Sequence, residues 1–167
     1  TGYLQGSTQH LATEMFMRAA GIDVVGVPYR GNGPAMTDLI AGTLDFMFYT
    51  LAAIPLIEAG KLRVLGITEL RRSALLPDVP TFDESGLPGF AATGFYGLIA
   101  PARTPPAVIA RLNAEVEAVL RSNETRERLV GLGAEPMVAT PEEFSSFIAA
   151  QLALWGKVIR DANIEQQ

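Results

Sequence analysis

The hydrophobic positions in the first part of the chain switch between helical spacing and continuous apolar runs. Apolar residues at helical spacing follow Ser7 and Thr8, which can cap a helix, and end before Gly21, which can stop one. This stripe consists of Leu11, Met15, Phe16 and Ala19. Strands are predicted for Ile22–Tyr29, Leu44–Tyr49 and Leu62–Thr68, and helices are predicted after Pro34 and over Leu51–Ala59. The alternation predicts an α/β fold with a parallel sheet, and the continuous apolar runs predict that both sheet faces are covered.

The pattern changes after Thr68. Residues 71–80 have no period and predict a loop, and Thr81–Glu84 has the pattern of a capping box that starts a short turn of helix. Ala91–Ala100 is predicted to be extended, and Ala134–Ala139 to be a brief strand. Helices are predicted after Pro105, after Ser122 or Asn123, and after the capping box Thr140–Glu143. The first of these carries an apolar stripe of Val108, Ile109, Leu112, Val116, Val119 and Leu120, and the last carries Trp155 as a core residue.

Composition narrows the classes of protein. The 167 residues are 49% hydrophobic and 19% charged, which favours a folded core over disorder. The net charge is −5 without a cluster of Lys and Arg, so a nucleic-acid partner is not expected. The chain has no cysteine, which excludes disulfides and Cys-ligated zinc. It starts at Thr1 without the pattern of a signal peptide, and we expect upstream processing or truncation.

His10 is the single histidine and limits the candidate chemistry. A hydrolase that uses Ser7 and His10 is one alternative. The preferred interpretation is that Ser7 caps the first helix and His10 lies in its first turn, with its ring near a ligand. A metal site is not expected from one histidine and scattered acids, and phosphate-loop and dinucleotide signatures are absent from the sequence.

Binding fits the residue pattern better than catalysis. The segments Gly2–Thr8, Arg30–Gly33 and Tyr49–Thr50 are predicted to follow successive strands, where ligands bind in open α/β sheets. Gly2–Thr8 is interpreted as a loop whose preceding strand is missing from the chain. Backbone N–H groups beside hydroxyl side chains suit a carboxylate, and Arg30 either clamps it or lies in solvent. The predicted ligand-binding residues are Gly6, Ser7, Thr8, His10, Tyr29, Arg30, Gly31, Tyr49 and Thr50. Asp45, inside a predicted strand, is expected to accept hydrogen bonds rather than to act chemically.

Short motifs along the whole chain carry a resemblance to one family. They include Gly6–Ala12, Val27–Gly31, Ala35–Leu39, Gly42–Phe48, Leu76–Thr81, Tyr96–Pro101, Arg111–Glu115 and Thr140–Phe144. In this order they resemble the Bug-type solute-binding receptors, the extracytoplasmic receptors of tripartite tricarboxylate transporters.

The resemblance implies a periplasmic receptor with a fold of the periplasmic-binding-protein type II, without catalysis and without a cofactor. Two α/β lobes would close over a small carboxylate, and the partners would be the membrane subunits of a transporter. Residues 1–91 would form the second lobe with its first strand missing, 92–101 a crossover strand, and 102–167 the helical part of an incomplete first lobe. A ligand-sensing regulatory domain of the same fold is the alternative.

Two departures from the family pattern are visible. Family members are longer than this chain, and many have Asp-Asn where this chain has Tyr49-Thr50. Because the helices after Pro105 and around Trp155 have apolar faces, we expect a second copy or a companion fragment to cover them, in the form of strand exchange between copies.

Overall fold

The computed structural model describes residues 1–164. The elements in chain order are β1 (Gly2–Leu4), α1 (Thr8–Ala20), β2 (Val27–Tyr29), α2 (Asn32–Ile40), a 3₁₀ turn (Leu51–Ala53), α3 (Ile54–Glu58), α4 (Pro106–Arg121), α5 (Asn123–Gly131) and α6 (Pro141–Asp161). The chain divides into two compact units. The first unit comprises Thr1–Tyr49, Pro55–Phe95 and the segment from Val158, and the second comprises Thr50–Ile54 and Tyr96–Lys157.

The first unit contains a parallel pair of strands. β1 pairs with β2, and Leu4 lies opposite Tyr29 at the carboxyl end of both strands. The pair confirms the predicted α/β fold with a parallel sheet, and α1 confirms the helix predicted after Ser7 and Thr8. The interpretation of Gly2–Thr8 as a loop without its own strand is wrong, because Gly2–Leu4 is itself β1.

Several predicted strands have no hydrogen-bonded ladder in the described part of the chain. β2 begins at Val27 rather than Ile22, and Leu44–Tyr49, Ala91–Ala100 and Ala134–Ala139 are irregular. Leu62–Thr68 contributes only an isolated parallel bridge between Ile67 and Thr81. A strand needs a neighbour whose N–H and C=O groups face it, and an apolar run alone does not supply one. The predicted cover on both sheet faces is also wrong in the described residues, since Val25 and Leu65 of these runs are 81% and 70% exposed and no residue of β2 is buried.

Aromatic residues form the centre of the first unit. Phe16 from α1 makes edge-on contacts with Phe82 and Phe90, and Phe82 stacks on Phe90 at a centroid distance of 4.9 Å. The cluster consists of Phe16, Phe46, Phe48, Phe82 and Phe90. Edge-on and offset-stacked rings are the favoured aromatic geometries. The cluster therefore packs α1 against the irregular segments that contain the other four phenylalanines.

The second unit is helical, as predicted. The capping box before α6 is formed: Thr140 N–H donates to Glu143 at 2.8 Å, and Glu143 N–H donates to the Thr140 hydroxyl at 3.1 Å. The equivalent bonds between Thr81 and Glu84 also form in the first unit, but the following residues make only a turn. Asn113 of α4 donates to the carbonyl of Ala139 at 3.0 Å.

α4 has an exposed apolar stripe. None of its residues is buried, and Val108, Leu112 and Val119 are 46%, 41% and 56% exposed. Among the described helices, none combines the length and apolar character needed to cross a membrane.

Candidate ligand-binding site

The carboxyl edge of the β1–β2 pair brings two of the predicted loops together. β1 ends at Leu4 and α1 begins at Thr8, while β2 ends at Tyr29 and α2 begins at Asn32. Because the strands are adjacent and parallel, both helices start at the same edge of the sheet. A helix N-terminus carries unpaired N–H groups and a partial positive charge, so this edge is suited to an anion.

Gln5–Ser7, the first loop, is closed by hydrogen bonds. Ser7 N–H donates to the carbonyl of Leu4 at 3.0 Å, and the Ser7 hydroxyl accepts from the backbone N–H of His10 at 3.3 Å. Ser7 is therefore the N-cap of α1, as predicted, and its hydroxyl hydrogen remains available to a ligand. The amides of Thr8 and Gln9 lie in the first turn, where a helix offers no internal acceptor.

His10 lies behind this loop. Its side chain is only 5% exposed, and its Nδ1 accepts the N–H of Gly6 at 3.3 Å. The ring stacks on Tyr3 of β1 with the centroids 4.3 Å apart, and Nε2 is 3.9 Å from the Glu14 carboxylate. Burial lowers the pKa of His10, and the negative charge of Glu14 opposes this only in part.

The hydrogen bonds around His10 speak against a Ser7–His10 hydrolase. A neutral imidazole has one acceptor nitrogen, and here Gly6 occupies it. The Ser7 hydroxyl is paired with the backbone of His10 and not with its ring. A nucleophilic serine needs a base within hydrogen-bond reach of its hydroxyl, and His10 does not occupy that position.

Arg30–Gly31, the second loop, has a different construction. Gly31 is the N-cap of α2, has φ 152° and ψ 173°, and forms no side-chain cap hydrogen bond. The amides of Asn32 and Gly33 lie in the first turn of α2. Arg30 is exposed next to them.

Tyr29 supports the second loop from the side of α2. Its hydroxyl donates to the Asp38 carboxylate at 2.6 Å, and this hydrogen bond is the main reason that the pKa of Tyr29 is raised. Burial and the charge of Asp38 raise it further. The Tyr29 hydroxyl therefore donates its hydrogen to α2, and this predicted site residue supports the second loop.

The third predicted segment does not follow a hydrogen-bonded strand. Tyr49 is exposed at the end of an irregular stretch of the first unit. Thr50 belongs to the second unit and is the N-cap of the 3₁₀ turn, without a side-chain cap hydrogen bond. A ligand contact by either residue stays a prediction. Asp45 is exposed in a bend, so its predicted place inside a strand is wrong.

Sequence reasoning missed two supports of the site. Asp38, the acceptor for Tyr29, was not predicted as a support; it lies in the last turn of α2, nine residues after Tyr29. The stacking of Tyr3 on His10 was also missed, and the available signal was a histidine four residues after Gly6 at the start of a helix. In residues 1–164, no group of three or more His, Cys, Asp or Glu side chains is placed to hold a metal ion.

Curated relatives match nearly all of this chain. Protein BugT of Bordetella pertussis (strain Tohama I) is 36% identical over 157 residues, which are 93% of this chain and 48% of BugT. The chain spans about half the length of the first curated relatives that it matches.

Solved structures match the fold. The structure described as R. palustris Rpa4515 with adipate has a TM-score of 0.85 at 35% identity, over 97% of this chain and 55% of that protein. MatC (Rpa3494) from Rhodopseudomonas palustris with bound malate has a TM-score of 0.79 at 33% identity, over 95% of this chain and 55% of that protein. Periplasmic binding proteins are among the matching structures, so the fold is of that α/β type. Residues 2–164 match the profile of the Tripartite tricarboxylate transporter family receptor, and this chain belongs to that family of solute-binding receptors.

Proposed function

We propose that this chain forms the second ligand-binding lobe and a part of the first lobe of a periplasmic receptor that captures a small carboxylate for a tripartite tricarboxylate-type transporter. The observation that carries the proposal is the pair of helix N-termini, α1 and α2, at one edge of a parallel sheet. Membership of the receptor family and the ligands named for two structural relatives, adipate and malate, support it.

The carboxylate would be held by neutral donors. The amides of Thr8 and Gln9 and the Ser7 hydroxyl are available at α1, and the amides of Asn32 and Gly33 at α2. A carboxylate accepts several hydrogen bonds, and local dipoles bind it even though the chain has a net charge of −5. In this proposal Arg30 adds a charged donor at the rim, and Gly6, His10, Tyr29 and Gly31 shape the loops.

The lobe organisation is part of the same proposal. Residues 1–91 would form the second lobe, 92–101 a crossover strand, and the helices from residue 102 a part of the first lobe. Ligand binding would favour a closed state of two lobes and so shift the population towards it. Support comes from the relatives, of which this chain spans about half.

The exposed stripe of α4 would be covered by a second copy of the chain. Val108, Leu112 and Val119 are exposed on one helix, and an uncovered apolar stripe marks an interaction surface. Light scattering tests this part: a mass of twice the 17.9 kDa chain supports it, and a monomer over the full concentration range contradicts it.

Calorimetric or NMR titration with adipate and malate tests the proposed function. Adipamide, which has the length of adipate without its charges, is the control. We expect saturable binding of at least one of the two dicarboxylates and no binding of adipamide, since the site offers donors to an anion. The absence of binding by both dicarboxylates, or equal binding of adipamide, contradicts the proposal.

A further inference from the structure

His10 differs from the other predicted site residues because its polar ring is buried. The side chain is 5% exposed, whereas Arg30 and Tyr49 are exposed. A buried polar ring is stabilised only if its nitrogens find partners. The partners of His10 therefore indicate what the residue does.

The contacts of His10 select one tautomer. Nδ1 accepts the Gly6 N–H at 3.3 Å, so Nδ1 carries no proton and Nε2 carries it. Nε2 lies 3.9 Å from Glu14, and Tyr3 covers one face of the ring. The ring is thus held from two sides with its lone pair directed at the backbone of the first loop.

Gly6 connects this ring to the ligand-facing end of α1. Gly6 has φ +74°, and the next residue, Ser7, is the N-cap of the helix. If the Gly6 N–H loses its acceptor, the loop loses the contact that fixes its left-handed residue. Ser7 and the first-turn amides then lose one of the contacts that fix their position, and the bond between the Ser7 N–H and the Leu4 carbonyl remains.

We propose that His10 is a positioning residue of the carboxylate site, because its Nδ1 holds the Gly6 N–H and thereby fixes the loop that presents Ser7 and the α1 N-terminus. This inference rests on the proposed function. It assigns to His10 a role behind the loop in place of the predicted place beside the ligand.

Protonation of His10 disrupts this arrangement. A proton on Nδ1 sets an N–H against the Gly6 N–H, so the hydrogen bond is lost. Within the described residues, two titratable groups lie next to the ring, Tyr3 on β1 and Glu14 on α1. Glu14 favours the proton and burial opposes it, with burial the larger effect on the pKa. Carboxylate affinity is therefore expected to fall at a pH below the usual range of histidine titration.

Two variants of similar size separate positioning from general packing. In His10→Asn, the side-chain oxygen lies near the position of Nδ1 and can accept the Gly6 N–H. In His10→Gln, the oxygen reaches the position of Nε2 instead. Both variants lose the ring and its stacking on Tyr3, so they differ mainly in the acceptor that faces Gly6.

NMR titration of the chain with adipate and malate measures both the loop and the affinity. We expect His10→Asn to keep the Gly6 amide protected from hydrogen exchange and to bind with an affinity within about twofold of the unsubstituted chain. His10→Gln should lose this protection and bind about three- to tenfold more weakly. In the unsubstituted chain, affinity should decrease as the pH is lowered and His10 gains its proton. Protonation of the dicarboxylate itself lowers the affinity of both proteins at acidic pH, so the test is the part of the decrease that the unsubstituted chain shows and His10→Asn does not. Equal losses in both variants, or a pH profile that His10→Asn leaves unchanged, overturn the inference.

If the variants fail to fold, a second measurement still tests the inference. The imidazole ¹⁵N shifts of the unsubstituted chain report the tautomer directly. The Nε2–H tautomer, with a Gly6 amide shift that follows the titration of His10, supports the inference, and a protonated Nδ1 at neutral pH overturns it. If the unsubstituted chain binds neither dicarboxylate, the proposed function fails and the positioning role fails with it. Normal binding with the wrong tautomer contradicts the inference alone.

Discussion

The first and second loops reach the same sheet edge by different means. Both follow a parallel strand and lead into a helix N-terminus. In the first loop, side chains of Ser7 and His10 hold the backbone. In the second, Gly31 caps α2 without a side-chain hydrogen bond. Two loops can therefore present helix N-termini at the same sheet edge and still be stabilised differently. The first loop depends on hydrogen bonds to side chains, and the second depends on a backbone conformation that glycine adopts.

Replacing the loop glycines by asparagine should have the largest effect and should differ between the loops. Gly31, with φ 152° and ψ 173°, occupies a region that is essentially limited to glycine, and we expect Gly31→Asn to lower the free energy of unfolding by about 1–3 kcal/mol. Gly6, with φ +74°, lies near the left-handed region that asparagine tolerates, so Gly6→Asn should cost less than about 1 kcal/mol.

Urea unfolding of both variants measures this difference. Crowding does not contribute, because a Cβ at either glycine meets no atom within 4 Å. Equal losses in the two variants would show that the second loop does not depend on its glycine.

Removing the cap of α1 should affect stability and binding together. The hydroxyls of Ser7 and Ser122 each accept a backbone N–H at 3.3 Å as the N-caps of α1 and α5. Ser7→Ala and Ser122→Ala should each cost about 1 kcal/mol of stability. Only Ser7→Ala should weaken adipate binding, by about two- to tenfold, because only this hydroxyl lies at the proposed site.

Ser122→Ala is the matched control for this experiment. Calorimetry with adipate, combined with urea unfolding, compares the two variants. Equal affinity of the two variants for adipate would remove Ser7 from the site.

The burial of neutral His10 behind the first loop should also affect how the free energy of unfolding depends on pH. The pKa of His10 is lowered in the folded chain by burial, so below about pH 6.5 the unfolded chain takes up the proton first. The contribution of neutral His10 is complete above that pH and is lost as the pH falls through the folded pKa. The effect is modest because only one group is involved.

Urea unfolding at several pH values, with His10→Asn as the control, isolates this contribution. The sequence has one histidine, so the difference between the two curves belongs to His10. Parallel curves would contradict a lowered pKa.

The smallest effect is expected at Tyr29 in the second loop. Tyr29→Phe removes the hydroxyl that donates to Asp38 and should slightly lower the midpoint of urea unfolding. Tyr49→Phe is the control at an exposed tyrosine. An unchanged midpoint in Tyr29→Phe would show that the contact with Asp38 does not stabilise α2.

The elements that depend on local chemistry could be predicted from the sequence. Ser7 as a cap, the helix that follows it and the capping box at Thr140 were all predicted from residues a few positions apart. These features are short-range, and their signals lie in adjacent residues.

The features that depend on distant partners could not be predicted. Leu44–Tyr49 has the composition of a strand, but ladder formation depends on a neighbour that the pattern cannot reveal. The His10 side chain is buried against Tyr3, which belongs to another element. The polarity of histidine alone favoured a position beside the ligand. The sequence therefore predicted which loops begin α1 and α2, while the contacts of their side chains required the structure.

The central claim is that a carboxylate binds where α1 and α2 begin. An amide NMR titration of the chain with adipate tests it most directly, because it also detects weak binding. We predict saturable shifts for the amides of Thr8, Gln9, Asn32 and Gly33, with the amide of Thr125 in α5 unchanged. Saturable shifts confined to other parts of the chain, or no shifts at all, would contradict the account.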